Sequence, residues 1–490
     1  MASKRRNMFY ENKKQETTEI EEKLSWKTTN YRCPMRTEAE GAPRCLDSTW
    51  RAPFRLPFMT VILCLLRSFT SRSIYDVLLF RAALSSSRSL NSTLVDMQLD
   101  RSQVVRIVPD GFDPIGYMRE IASDEELDDP FMVTDLTEIW RQWNAWKSIC
   151  PNVHPYFQLK SNRSRPVLEV LAALGVGFTC STKVEMEAAL SVGVDPGSVM
   201  LGTTMKLVNH IGYAAQAGVR LMLADSTEEM EKIRRYHTDP KLILVVRGDK
   251  SGEASEEFRS LLEKADRLKM PVVGLSLQLG NETSTTVNLV TTAVNQAADW
   301  GHTIRTIVLT PTPHTLDVLR QAGELAESSA GRKLEVVVQD DRLLVEGATK
   351  SAAKVLALTR RSNDPLPKCF LNDGFYGTFN LARRRHCQRV LGPAKPLHKE
   401  SPTGDGECWQ VWGPTCDTVD LVGSGCRLPP IHPGHWIVFS EMGAYSTTNS
   451  CAFNGYHPPT QYYIIQDTPW RLLQSHLTLT AVHKSQAPMP

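Results

Sequence analysis

His154-Pro155-Tyr156-Phe157-Gln158-Leu159-Lys160-Ser161-Asn162 reads as a strand that closes on a lysine and a polar turn. A helix follows at 165–174, with Val167, Leu168, Val170 and Leu171 spaced to make one apolar face. The same beat runs through the flanking sequence. Strand-like runs at 131–134, 155–159, 177–180, 199–202, 221–224, 242–246, 272–278 and 304–309 alternate with helical stretches. Those stretches lie at 183–192, 206–217, 227–236, 257–269, 287–300 and 316–326, and 334–338 is a ninth strand candidate. About eight β/α units, roughly 20–35 residues apart with short loops, predict a parallel barrel closed on itself. An open doubly wound sheet is the alternative, weakened because no GxGxxG follows the first strand.

Past residue 350 the helical beat stops. Phe370-Leu371-Asn372-Asp373-Gly374-Phe375-Tyr376-Gly377, Trp409-Gln410-Val411-Trp412-Gly413, Trp436-Ile437-Val438-Phe439 and Tyr462-Tyr463-Ile464-Ile465 are aromatic and β-branched, with Gly, Pro and Asp between them. That pattern predicts a mainly antiparallel sheet domain. The fold class is α/β: a TIM-like parallel β/α barrel followed by a C-terminal antiparallel β domain. The expected organisation is an N-terminal extension (1–104), a lead-in strand segment (105–136), the barrel (137–345) and the β-rich domain (346–490).

The extension is charged and apolar-poor from Lys4 to Glu22, then rich in Arg, Ser and Thr, a composition expected to stay disordered. The apolar run from Phe58 to Leu66 is too short to span a bilayer, is flanked by Arg55 and Arg67, and begins too far from Met1 for an ordinary signal peptide. A formal net charge of +2 over 490 residues gives no reason to invoke nucleic acid or a membrane surface. Eleven cysteines without a CxxC pair read as reduced thiols, so the expected location is the cytoplasm, and no metal-ligand spacing is present.

A lysine at the mouth of a β/α barrel is placed to form a Schiff base with an aldehyde cofactor. PYFQLKSN (155–162), LNDGFYGTFN (371–380), WGPTCD (412–417) and EMGAYS (441–446), in this order and at these distances, resemble the eukaryotic ornithine decarboxylase family. That family also includes the antizyme inhibitors, which keep the fold and lack the activity. The resemblance runs from about Val105 to about Leu477 and leaves out the extension. It implies that the longer C-terminal tail associated with rapid turnover of the enzyme is missing here. Residue by residue, it makes Lys160 the Schiff-base lysine. Cys416 and Asp417 match the pair that reaches into a partner subunit's site, and Arg342 and Tyr445 match positions that touch pyridoxal phosphate.

The departures from the pattern are as informative. The family sets a glutamate on the cofactor's ring nitrogen, because the protonated ring is the electron sink; here the position holds Gln339, in Gln339-Asp340-Asp341-Arg342. Asp340 or Asp341 is shifted along a strand whose side chains alternate faces. The ring-stacking histidine becomes Gln278. The glycine run for the phosphate becomes Thr310-Pro311-Thr312-Pro313-His314, with two backbone donors removed. The acidic residue for the substrate's distal amine aligns with Arg385, which reverses its sign.

Three readings follow. One is a non-catalytic regulator of polyamine metabolism that binds ornithine decarboxylase antizyme, holds no cofactor tightly and forms at most a weak homodimer. The second is a pyridoxal-phosphate-dependent decarboxylase of ornithine or a neutral amino acid. The third is a decayed paralogue. For the first, the resemblance puts the antizyme surface on the helices after the fourth and fifth strands, where Lys206, Ala214, Ala215, Glu229, Lys232 and Lys241 match and Gly212 replaces a lysine.

Overall fold

The computed structural model describes residues 104–248, 254–278, 283–310, 322–325, 334–380, 395–397, 406–474 and 482–484, within the unit Asn91–Pro490. The N-terminal extension, the apolar run at 58–66, the two prolines at 311 and 313, and Arg383 to Arg385 lie outside the described residues.

The described chain opens with β1 (Val105–Val108), α1 (Pro114–Ala122), β2 (Phe131–Asp135) and α2 (Leu136–Ile149). Asp113 caps α1 by accepting from the Ile115 and Gly116 N–H groups, and Pro114 supplies the preset first turn. Eight strands then close a barrel: β3 (Val153–Gln158), β4 (Gly177–Cys180), β5 (Val199–Leu201), β6 (Leu221–Ala224), β7 (Lys241–Val245), β8 (Val272–Gln278), β9 (Thr306–Thr310) and β10 (Glu335–Asp340). All pair in parallel, and β10 returns to β3. The helices between them include α3 (Arg165–Ala173), α4 (Lys183–Ser191), α5 (Val208–Ala217), α6 (Thr227–Tyr236), α7 (Glu256–Leu268) and α8 (Thr283–Asp299). In α6 the Ser226 hydroxyl accepts from the Glu229 N–H, acids fill the first turn and Arg234 and Arg235 the last, matching both ends of the helix dipole.

Strand alternation decides which side chains enter the barrel. Met200, Leu223, Ile243, Val308 and Val337, with Tyr156, Leu221 and Val245, pack together inside it. Their neighbours in sequence, such as Val336 and Val338, face the helices and join the large outer core. On β10 the inward series therefore runs Glu335, Val337, Gln339.

The second sheet contains β11 (Thr349–Thr359), β12 (Lys368–Leu371), β13 (Lys395–Pro396), β14 (Glu407–Trp412), β15 (Leu421–Leu428), β16 (Trp436–Phe439), β17 (Thr460–Gln466) and β18 (Val482–Lys484), with α9 (Asp467–Leu473) after β17. Its main path is β15-β14-β12-β11-β2-β17-β1-β18. Two expectations change here. The run at 131–134, which continued the barrel's strand–helix beat, is β2 and pairs with β11 and β17 instead. The ninth candidate, β10, is the strand that completes the barrel. β1 and β2 enter this sheet from before the barrel and run parallel to β17, alongside the antiparallel pairs of β11 with β2, β12 and β16 and of β14 with β15. No helix among the described residues is long and apolar enough to cross a membrane, and the described cysteines are free.

Candidate functional site at the barrel mouth

Lys160 follows β3 at the C-terminal mouth of the barrel, where β/α-barrel sites are built. It is exposed, and its ammonium makes no hydrogen bond or ion pair with a described residue. The neighbouring strands complete an arc. Gln278 ends β8 opposite Thr310 of β9, and the Thr310 hydroxyl donates to Gln339 Oε1 at 3.2 Å. Gln339 pairs in register with Tyr156 of β3, which brings the arc back toward Lys160. Gln339 is 6% exposed, and its Nε2 is buried without a hydrogen-bond partner among the described residues. A buried donor left so costs about 1–3 kcal/mol.

The turn around Lys160 is fixed by the sheet domain. Ser161 accepts the Tyr445 N–H on its carbonyl at 2.7 Å and donates its hydroxyl to the Asp341 carbonyl. Asn162 Nδ2 donates to the Gly443 carbonyl at 2.9 Å, and the Thr448 hydroxyl donates to the Ser161 carbonyl at 3.2 Å. Gly443 is required by contact: a Cβ there would lie 1.7 Å from the Val345 carbonyl oxygen. Tyr445 takes φ 64°, a left-handed conformation costly for a side chain with a Cβ, and these bonds hold it there.

The two residues matched to cofactor contacts are engaged by acids. The Tyr445 hydroxyl donates to Asp341 Oδ2. The Arg342 guanidinium pairs with Glu346 and lies 5.4 Å from the centre of the Tyr445 ring. Asp341 continues the inward series of β10, whereas Asp340 turns away. Asp340 is fully buried and accepts the N–H groups of Arg342, Leu343 and Leu344, so it caps the turn after β10. Burial pushes its carboxyl up to about 6 against the pull of those donors. Of the two aspartates beside Gln339, then, Asp341 is the one that faces the mouth.

Cys416 and Asp417 belong to a second grouping in the sheet domain. Asp417 accepts from the Tyr376 hydroxyl, which pushes that phenol up to about 12, and Cys416 is exposed. The Tyr376 ring stacks on Phe453 at 3.7 Å, and its carbonyl takes the Cys451 N–H at 2.9 Å, linking this loop to the segment after Tyr445. The residues that order it are Asp373 and Asp420. Asp420 accepts from Phe375 N at 2.7 Å and from both the backbone and hydroxyl of Thr415; Asp373 accepts from Gly374 N and Thr378. Gly374 and Gly413 leave room for the Asp420 carboxylate, which would stand 2.2 Å from a Cβ at either position. Sequence reasoning passed over both aspartates, although the Asp-Gly and Gly-Pro pairs in those motifs signalled tight turns.

The residues matched to a partner surface divide by burial. Lys206 and Glu229 are buried: the Lys206 ammonium donates to the Leu223 carbonyl and lies 3.7 Å from Glu229, whose other oxygen is 2.6 Å from Lys232. Burial outweighs the Glu229 attraction and pushes Lys206 down to about 8. Ala214 packs inward with no exposure, while Ala215, Lys232 and Lys241 are part-exposed. Lys241 begins β7, at the opposite end of the barrel from Lys160. Met205 (84% exposed) and Leu207 (62%) flank Lys206 as apolar side chains in solvent.

Comparison with known proteins agrees with this architecture. The family model for the pyridoxal-binding domain of pyridoxal-dependent decarboxylases matches residues 136–309, and the model for their C-terminal sheet domain matches 348–443. Ornithine decarboxylase from Rattus norvegicus is 29% identical over 73% of this chain and 86% of its own length. Antizyme inhibitor 2 from Xenopus laevis is also 29% identical, over 75% of this chain and 89% of its own. The arginine decarboxylase of Paramecium bursaria Chlorella virus shares the fold, with a TM-score of 0.64 at 23% identity over 71% of this chain and all of that one. Two domain models in order, on the barrel and on the sheet, together match more than half of the sequence, and the chain belongs to the pyridoxal-dependent decarboxylase family of ornithine decarboxylase and the antizyme inhibitors.

Proposed function

We propose that this protein is a catalytically impaired member of the family that acts in the cytoplasm on polyamine metabolism by binding ornithine decarboxylase antizyme. The observation that carries the reading is the inner face of β10 at the mouth. There an amide, Gln339, stands where the family's ring carboxylate would be, and a carboxylate, Asp341, holds the Tyr445 hydroxyl. The residues present do not fit pyridoxal phosphate as an electron sink. Lys160 is free to meet an aldehyde, but Gln339 carries no charge to keep a ring nitrogen protonated. Asp341 and Glu346 set negative charge on the two groups matched to cofactor contacts, Tyr445 and Arg342.

Binding to antizyme would run over the outer faces of α5 and α6. Lys206 and Glu229 shape the start of this surface from within, and Lys232 and Lys241 offer charge to a partner. The curated relatives that carry the name antizyme inhibitor support the assignment. The test is a titration of antizyme against the parent, the Lys232→Gln/Lys241→Gln pair and a Lys160→Ala control at two salt concentrations. The pair should bind more weakly by about 1–3 kcal/mol, less so at high salt, and the control should match the parent. Absence of parent binding, or indifference to the lysine pair, would remove this function.

A second reading, a decarboxylase with altered chemistry, is favoured by an exposed Lys160 at the same end of the barrel as Gln339, whose Nε2 has no hydrogen-bond partner among the described residues. Its test is the visible absorbance of the protein with added pyridoxal phosphate, together with carbon dioxide release from ornithine and from neutral amino acids. A cofactor band that survives dialysis and is lost in Lys160→Ala would favour the enzyme.

A further inference from the structure

The interior of a β/α barrel is ordinarily filled by layers of branched side chains. At the N-terminal end of this barrel the filling is incomplete, leaving a cavity of about 560 Å³. The Tyr156 ring takes the space beside Gly177 of β4, standing 2.5 Å from where a Cβ would be, and forms part of the cavity wall. Lys241 and Glu335 start β7 and β10 at this end, so polar stems line the opening where branched residues would plug it. The floor is apolar: Met200, Leu221, Ile243, Val308 and Val337. A volume of this size lies within the usual range for small-molecule sites.

The rim carries Lys241 and Arg305 as cations and Glu335 as an acid. Neither cation forms an ion pair with a described residue. Glu335 lies close enough to the Tyr156 phenol to help burial push it up to about 12. The opening therefore has a positive excess on one arc above an apolar floor. None of these groups takes part in the mouth site, and of them only Lys241 is shared with the surface matched to antizyme.

We propose that this end of the barrel binds a small amphipathic carboxylate, with its head group between Lys241 and Arg305 and its apolar body on the floor around Ile243 and Val308. Two cations at a half-exposed rim supply selectivity for charge, and the floor supplies most of the affinity.

Hexanoate is the probe, followed by ligand-observed NMR and calorimetry on the full chain, with hexylamine as the charge-reversed control. Hexanoate should bind at one site, at least tenfold more tightly than hexylamine. Lys241→Gln/Arg305→Gln should weaken hexanoate at least tenfold. Val308→Phe, which fills the floor, should abolish binding while the melting transition stays cooperative; if that variant does not fold, Ile243→Met serves in its place and should weaken binding. The proposal is overturned if the parent does not bind hexanoate, if hexylamine binds equally well, or if binding survives both the rim pair and the floor variant. Because Arg305, unlike Lys241, is not among the residues matched to the antizyme surface, Arg305→Gln alone should leave antizyme binding untouched.

Discussion

The two ends of the barrel treat their polar side chains in opposite ways. At the mouth, Arg342 is taken by Glu346, Tyr445 by Asp341, and the Lys160 turn by four hydrogen bonds from the sheet domain or to its own barrel. At the other end, Lys241 and Arg305 stand over an apolar floor with no ion pair to a described residue. A motif can thus survive in sequence while its side chains are bound to one another. A functional opening can also lie where no motif draws attention. Matching residues shows ancestry, and the partners those residues keep show which chemistry remains open to them.

The comparison is broken most severely by Gly443→Ala. Its Cβ would meet backbone at Val345 and drive the sheet domain off the Lys160 turn, so a loss of more than about 4 kcal/mol is expected in urea melts. Lys206→Met comes next. It leaves buried Glu229 with one cation and the Leu223 carbonyl without its donor, and should cost about 3 kcal/mol in the same assay. A smaller effect separates the buried carboxyls. Asp340 and Asp373 are both raised to about 6 by burial, so between about pH 4 and 6 the folded chain holds protons that the unfolded chain has released. Stability should fall as pH rises through that window, by about 1–3 kcal/mol per group, then level off; in Asp340→Asn the slope should be shallower. The smallest effect belongs to the open end. Val308→Phe should stay within about 1 kcal/mol of the parent in thermal melts, since its added volume enters existing space.

How much of this was legible before the structure follows from what a sequence encodes locally. The strand–helix beat and the four motifs mark the barrel, the sheet and the Lys160 mouth because periodicity and spacing are local properties. The membership of β2 was hidden, since a strand's own pattern says nothing about which sheet receives it. Asp341 rather than Asp340 faces the mouth because alternation continues past Gln339, a register that a sequence states only once the strand's inner face is known. Lys206 and Glu229 read as surface charges, yet they are buried against each other, because pairing removes much of the cost of burial. The cavity was invisible for a different reason: its walls, from Tyr156 on β3 to Val337 on β10, are brought together only when the barrel closes.

The path of the chain through the second sheet has a kinetic consequence. β1 and β2 are made before the barrel, but their neighbours β11 and β17 arrive more than two hundred residues later, after the whole barrel. The barrel strands pair with close neighbours in sequence, apart from the closing contact of β10 with β3. Barrel assembly should therefore precede the sheet, with β2 waiting for β11 and β1 for β17. During that interval, which spans the synthesis of about two thirds of the chain, the nascent protein exposes strands that are buried in the finished one.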